Sequence, residues 1–357
     1  MITTCRLKLV RILLLAPTIV GVACNTIRVS PVDYTFKTPL VALPLGLKSP
    51  IDRRDAFAQV FCKALPVYGV DSEGNCRKYL ELDGYTSDGS SLPTLLAKDY
   101  QVVVVAGIFS ACLPRNQVSI YKQGIAQLKQ EGLAIEEIPV SATGGTAEHA
   151  KTIAKYIQDH QGPPFIAIGY SQGAADLLDA YVNEQVVHDS MKALVTIAGA
   201  VGGSRLPDGI PKALGQILGG IDISLPDCQI KGLAGLDALR RNDRYDFLSD
   251  HRDRLPRAYS IAAKSSKQKT SKILQGPWQQ LSAYSIDQDS QVIRDDAVVP
   301  GGSFLATALA DHWAVTLPFA EAHDPLFDKL VDQSPYPRTA LLEATIRFVM
   351  KDLKEKP

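Results

Sequence analysis

The sequence has no excess of charge of either sign, because 38 Lys and Arg residues balance 38 Asp and Glu residues over 357 positions. A nucleic-acid-binding protein would show a basic excess or a basic stripe, so we expect no nucleic-acid partner. The spacings Cys-x-x-Cys and His-x-x-x-His are missing as well, and with them the common metal-site motifs. Internal repeats and low-complexity tracts are also absent. We therefore expect neither a metal nor another cofactor.

The sequence also lacks an apolar run long enough to cross a membrane. The longest candidate lies at the N-terminus. Residues 1–24 combine a mostly apolar stretch, Leu9 to Ala23, with a basic start made by Arg6, Lys8 and Arg11. The stretch is too short for a comfortable span and is interrupted by Arg11 and Pro17. The pattern predicts a secretory signal and an exported protein, with an uncleaved N-terminal anchor as the alternative.

The end of this segment, Val22-Ala23-Cys24, resembles the cleavage site of a bacterial lipoprotein. Gly21 departs from that pattern, because such sites usually carry Leu or a similar apolar residue there. Cleavage at this point would leave Cys24 as a lipidated first residue that anchors the protein to a membrane. Ordinary signal cleavage, giving a periplasmic or secreted protein, is the alternative.

Cysteine is sparse, with six residues in the chain. Cys5 lies in the signal segment and Cys24 is the lipidation candidate, which leaves four: Cys62, Cys76, Cys112 and Cys228. An even number of cysteines in an exported protein favours disulfides, and three pairings are possible. Closeness in sequence favours Cys62–Cys76, which would leave Cys112–Cys228.

From Tyr100 onward, the sequence alternates between strand and helix patterns. We predict strands at Val102–Ala106, Leu133–Val140, Phe165–Gly169, Met191–Ala198 and Arg257–Ala263. Helices are predicted at Gln117–Glu131, Thr146–Asp159 (with Thr146 as its cap) and Arg338–Lys354. This alternation predicts an α/β domain, with a mostly parallel sheet and helices on both faces.

Three segments do not follow the alternation. Residues 25–99 are irregular, with many Pro and Gly residues, and are expected to be an N-terminal extension packed on a main domain of residues 100–357. At about residues 199–256, the pattern predicts a helical lid over the strand ends. The alternative is a surface loop that covers nothing. The polar, lysine-rich Lys264–Gln280 is expected to be a solvated insertion.

The segment Gly169-Tyr170-Ser171-Gln172-Gly173 follows an apolar strand and precedes an amphipathic helix. Gly-x-Ser-x-Gly in this context is a nucleophile elbow, which exposes a serine on a sharp turn. The glycines allow the strand and the helix to approach closely. The motif predicts Ser171 as a catalytic nucleophile. The alternative is a glycine-rich strand–helix turn whose serine has no role.

A serine hydroxyl becomes a good nucleophile when an imidazole takes its proton and a carboxylate orients that imidazole. Four of the six histidines precede the serine, follow it too closely or lie in the predicted lid. His312 and His323 remain. We favour His312, which lies shortly before the closing helix, and keep His323 as the alternative.

The best candidate for the acid is Arg294-Asp295-Asp296-Ala297-Val298-Val299-Pro300, a turn after a predicted short strand, Ser290–Ile293. With this segment, the chain resembles the α/β-hydrolase superfamily, in its lipase and esterase branch. There the acid loop commonly reads Asp-Gly-Val-Val-Pro, and the base often follows an Asp, as His312 follows Asp311. The resemblance implies Asp296 as the acid. Ala297 in place of the usual Gly keeps Asp295 as the alternative.

The resemblance covers about residues 100–350 and also implies an oxyanion hole built from two backbone N–H groups. One belongs to Gln172, directly after the nucleophile. The other comes from the loop after the first strand, Gly107-Ile108-Phe109. The family usually carries His-Gly at that loop, whereas this chain has Ala106-Gly107, so Ile108 is assigned by position.

These residues predict an exported serine hydrolase that cleaves a small-molecule or lipid carboxylic ester through an acyl-serine intermediate. Apolar residues of the lid segment suit an acyl substrate: Ile217, Leu218, Ile221 and Leu225. Two alternatives stay open. An acyltransferase would pass the acyl group from the same triad to an alcohol, and a catalytically inactive surface lipoprotein would only bind.

Overall fold

The computed structural model describes residues 40–70, 76–82, 86–108, 119–209, 222–225, 228–231, 234–319 and 335–355. Several predicted features lie outside these residues: the signal segment with Cys24, Cys112, the alternative base His323, and lid residues Ile217, Leu218 and Ile221. The side chains of Leu225 and Cys228 lie outside as well. The signal, the lipidation and the pairing Cys112–Cys228 therefore stay predictions.

A seven-stranded sheet forms the centre of the molecule, and all of its neighbouring strands are parallel. Its order is β1-β9-β8-β5-β4-β2-β3, and β6 and β7 form a separate antiparallel pair. The strands are β1 Ile51–Asp52, β2 Gln101–Val105, β3 Ile135–Glu137, β4 Phe165–Tyr170, β5 Met191–Ile197, β6 Asp222–Leu225, β7 Cys228–Lys231, β8 Ala258–Ala263 and β9 Ser303–Ala308.

Helices cover both faces of the sheet, which is why its central strands read as continuous apolar runs. The helices of the described residues are α1 Arg54–Ala64, α2 Cys76–Tyr79, α3 Lys122–Gln130, α4 Thr146–Asp159, α5 Gln172–Asn183, α6 Gln185–Ser190, α7 Ala234–Asp237, α8 Arg241–Asp250, α9 Gln275–Leu281 and α10 Arg338–Glu355. Val102 and Val104 pack with α1, α3 and α10, whereas Val103 and Val105 pack with α4, α5 and α8. The predicted α/β class is thereby confirmed.

Local predictions fail where the sequence offers only a short signal. Helix α4 has its predicted bounds, but Gly145 occupies the N-cap and Thr146 is the first helical residue. The predicted strand Ser290–Ile293 is instead a tight loop closed by an isolated bridge between Gln288 and Ile293.

The predicted boundary between residues 99 and 100 does not coincide with the start of the compact unit. The compact unit begins at Leu40, and β1 pairs with β9 at the edge of the sheet. Helix α1 packs on α10, with Phe57 set edge-on against Phe348. A strand of two residues, one helix of 11 residues and one of four leave much of this region without a periodic pattern, so it looked irregular although it belongs to the core.

The lid prediction needs a correction of a similar kind. Part of residues 199–256 is β-structure, since β6 and β7 form a hairpin there rather than a helix. Helix α8 buries Tyr245 and Leu248 in the core beneath α5 and is not a separate cover. In the part of the chain that the structure describes, no helix is both long enough and apolar enough to cross a membrane.

The predicted disulfide Cys62–Cys76 is confirmed and joins α1 to α2, with the two Cα atoms 5.4 Å apart. Both cysteines are buried. A cross-link over 14 residues restricts the unfolded chain more than the folded one. It therefore stabilises the folded chain relative to the unfolded one.

Replacing both cysteines, Cys62→Ala with Cys76→Ala, should lower the free energy of unfolding by about 3 kcal/mol, measured by urea denaturation. Under reducing conditions the difference from the wild type should largely close, which separates the cross-link from lost side-chain packing. Equal unfolding midpoints under oxidising conditions would contradict a stabilising role.

Candidate active site

Ser171 occupies a strained turn between β4 and α5. Its backbone has φ 54° and ψ −125°, a region that a residue with a side chain rarely adopts. The flanking glycines leave no room for a side chain: a Cβ at Gly169 would lie 2.5 Å from the Cα of Ala174, and one at Gly173 would overlap the carbonyl of Val105. The predicted elbow is therefore present.

The loop after β2 lies directly against this serine. A Cβ added to Gly107 would come within 2.6 Å of the Ser171 Cβ, so only glycine fits there. The backbone N–H of Ile108, the next residue, therefore also lies near the serine. Within the described residues, neither the N–H of Ile108 nor that of Gln172 donates a hydrogen bond. Both groups are free to donate to a bound substrate.

The structure brings Ser171 and His312 together, as the sequence indicated. The Nε2 atom of His312 lies 2.8 Å from the Ser171 Oγ, and its Nδ1 atom lies 2.7 Å from Asp289 Oδ2. All three side chains are buried. The arrangement is a Ser-His-Asp chain in which the carboxylate is that of Asp289.

The loop after Asp289 fixes this carboxylate in place. Its Oδ1 atom accepts hydrogen bonds from the backbone N–H groups of Gln291 and Val292, at 2.9 and 2.8 Å. The His312 N–H donates to the Asp289 carbonyl at 2.8 Å, and the Tyr170 hydroxyl donates to the His312 carbonyl at 2.8 Å. The imidazole is thus held at its backbone and at its Nδ1 atom.

The prediction of Asp296 as the acid is wrong, because that carboxylate does not contact His312. It is buried and accepts hydrogen bonds from the Tyr245 hydroxyl at 2.8 Å and from Arg241 Nε at 3.1 Å. Burial raises the pKa of Asp296, and its two partners oppose that shift. The alternative, Asp295, faces the surface within 3.6 Å of Arg294.

The resemblance misled here because Val298 and Val299 are core residues that follow a short helix, not an acid loop. Asp289 instead lies at the start of a tight turn. Its carboxylate bonds to the backbone two residues ahead, as aspartates in turns do, and Ser290 takes a positive φ of 89°.

Asp311 supports the base rather than acting as the acid. Its Oδ1 atom accepts from the backbone N–H groups of Trp313 and Ala314, and its Oδ2 atom accepts from the N–H and hydroxyl of Ser271, at 2.7 and 2.6 Å. Ser271 is buried, so Lys264–Gln280 is not simply a solvated insertion. It helps to hold the turn that carries His312.

The three residues of the Ser-His-Asp chain meet at the carboxyl edge of the parallel sheet. Ser171 follows β4 directly, Asp289 lies on the long connection after β8, and His312 follows β9. Ligand sites of parallel α/β sheets lie at this edge. Among the described residues, no cluster of His, Cys, Asp or Glu could hold a metal ion.

The sheet, the elbow and the order of the site residues along the chain match those of a known fold. The chain has an α/β-hydrolase fold. A metagenomic carboxyl esterase of known structure is 29% identical to it with a TM-score of 0.77, and the match covers 88% of this chain and 97% of that chain. No protein-family model matches the chain, and no curated protein is significantly similar to it.

Other solved structures are less similar to the chain. A Bacillus licheniformis lipase in its mature form is 18% identical with a TM-score of 0.48, covering 63% of this chain and 89% of that chain. Alpha/beta hydrolase domain-containing protein 10 from mouse is 16% identical with a TM-score of 0.39, covering 72% and 92%. Neither likeness, with a TM-score below 0.5, bears on the function.

Asp289→Asn should reduce turnover of a p-nitrophenyl ester by about 10⁴-fold, because an amide at this position favours the wrong imidazole tautomer. Asp296→Asn is the matched control, a buried aspartate in the same region that does not contact His312. Its effect should be far smaller. A larger loss in Asp296→Asn than in Asp289→Asn would contradict this assignment of the acid.

Proposed function

We propose that this protein is a serine hydrolase that cleaves a carboxylic ester through an acyl-serine intermediate. The observation that carries the proposal is the buried chain Ser171 Oγ, His312 Nε2, His312 Nδ1 and Asp289 Oδ2, with separations of 2.8 and 2.7 Å, at a nucleophile elbow. The similarity to a carboxyl esterase over 88% of the chain supports an ester as substrate.

In the first half of this reaction, the Ser171 Oγ attacks the ester carbonyl carbon while His312 Nε2 takes the hydroxyl proton. Asp289 stabilises the imidazolium through its contact with Nδ1. The proton then passes from Nε2 to the departing alkoxide, which leaves as the alcohol. In the second half, His312 Nε2 takes a proton from water while the oxygen of that water attacks the acyl carbon. The same proton then passes from Nε2 to the departing Ser171 Oγ, and the acid is released.

The negative charge that develops on the carbonyl oxygen needs donors fixed in advance. The N–H groups of Gln172 and Ile108 adjoin the serine from two sides, which supports the expected oxyanion hole. Gln172 is also the first residue of α5. The N-terminal end of a helix carries a partial positive charge, which favours an anion at that point.

Export belongs to the same proposal. It rests on the signal pattern of residues 1–24, and the disulfide Cys62–Cys76 supports it, since such bonds persist in oxidising compartments. Lipidation at Cys24 would add a membrane anchor and place the enzyme beside lipid esters.

Ser171→Ala should abolish ester turnover and labelling by a fluorophosphonate while leaving the fold intact, because the chain loses its nucleophile. Losses from triad variants are on the order of 10⁴- to 10⁶-fold. Circular dichroism checks the fold, and a panel of p-nitrophenyl esters of rising chain length maps the acyl preference. More than about a tenth of wild-type activity in the folded variant would refute the mechanism.

A further inference from the structure

A second Ser-His-Asp chain lies behind the elbow and forms part of a closed ring of five hydrogen bonds. His149 Nε2 lies 2.9 Å from the Ser141 Oγ, and His149 Nδ1 lies 2.8 Å from Asp176 Oδ2. The Gln172 Nε2 group lies 3.4 Å from Asp176 Oδ1 and donates to the Gly144 carbonyl at 2.8 Å. The Gly144 N–H closes the ring by donating to Ser141 Oγ at 3.0 Å.

This ring connects three elements at the carboxyl edge of the sheet. Ser141 and Gly144 belong to the loop after β3, His149 lies in the first turns of α4, and Gln172 and Asp176 lie one turn apart on α5. The residues His149, Asp176 and Gln172 are at most 1% exposed. A Cβ at Gly235 would lie 2.9 Å from Gln172 Oε1, so α7 closes over the amide from the other side.

We propose that this ring positions Gln172, so that its backbone N–H faces the carbonyl oxygen under attack. His149 and Asp176 are then positioning residues, which act through Gln172 and do not touch the substrate. The inference rests on the proposed ester hydrolysis and assigns a function to polar side chains that the mechanism leaves unused.

The position of Gln172 gives such support a purpose. It follows the strained Ser171 and begins α5, so its N–H has no partner within the helix. The Ser171 carbonyl, which belongs to the same peptide group, accepts two backbone hydrogen bonds, at 3.2 and 2.9 Å, and the ring restrains this group from the Gln172 side. Its side chain extends into the ring, where Gly144 and Asp176 hold the amide. Restraining this side chain limits rotation of the peptide group that carries the N–H.

Stability alone does not account for these polar residues. Gln172 Oε1 is buried without a hydrogen-bond partner among the described residues, which costs about 1–3 kcal/mol. Replacing a buried ion pair by well-packed apolar residues is often neutral or stabilising. An apolar cluster here would therefore avoid the cost, but it would lose the directional contact to Gln172.

The ring closes in either protonation state of its histidine. Burial raises the pKa of Asp176 to about 6, and Asp179 adds to that shift. Burial works against the charged form of His149, yet Asp176 and Glu148 together raise its pKa. When Nε2 carries a proton, it donates to Ser141, whose hydroxyl has Glu148 Oε1 as an acceptor at 3.2 Å. When Nε2 is bare, the Ser141 hydroxyl donates to it.

The test compares variants by turnover per active site, counted by fluorophosphonate titration, so that misfolded protein does not enter the rate. His149→Leu should lower kcat per site by about tenfold with little change in KM, a fraction of what loss of an oxyanion donor costs. His149→Asn keeps a donor near the Nδ1 position and should restore most of the rate. His160→Gln, at the exposed end of α4 and outside the ring, is the matched control and should match the wild type.

Gln172→Ala removes the side chain from the ring and keeps the backbone N–H, so its kcat per site should fall by about as much as that of His149→Leu. In the double variant, kcat per site should fall no further than in either single variant, because both changes break the same connection. If His149→Leu does not fold, Gln172→Ala still tests the ring. Wild-type kcat per site in either variant, or additive losses in the double variant, would overturn the inference. Failure of Ser171 to label in the wild type would instead refute the proposed function.

Discussion

The strained backbone of Ser171 is the constraint on which the site depends. A positive φ at a residue with a side chain costs on the order of 1–3 kcal/mol and persists only where the surroundings enforce it. Three glycines make the turn possible by letting β4, α5 and the loop after β2 approach within contact distance. The buried parallel strands on either side then hold the serine at the sheet edge, within reach of His312.

Much of this arrangement could be predicted from the sequence, because it rests on contiguous patterns. Apolar runs located the central strands, the Gly-x-Ser-x-Gly motif located Ser171, and the order of the chain selected His312. Asp289 could not be found in this way. Its place beside His312 depends on the path of a long connection and on two backbone N–H groups of its own loop, and no periodicity records that path.

Buried charges in this molecule serve different roles according to their partners. Asp289 contacts the imidazole of His312, whereas Asp296 bonds to Tyr245 and Arg241 and ties α8 to the core. Asp352 likewise bonds to Arg53, Arg257 and Tyr259, which connects α10 to β8 and to the start of α1. A local match to a family motif does not distinguish these roles, because the residues next to a carboxylate in sequence do not determine which distant side chain it contacts.

The connection between β8 and β9 has a practical consequence for anyone who engineers this protein. Three of its lysines, Lys267, Lys269 and Lys272, face solvent, and its composition is that of a loop suited to truncation or to insertion of a tag. Yet it supplies both Asp289 and Ser271, and Ser271 secures Asp311 beside the base. Shortening it would therefore disturb the imidazole from two directions at once. Fusions and loop exchanges are better directed to other parts of the surface.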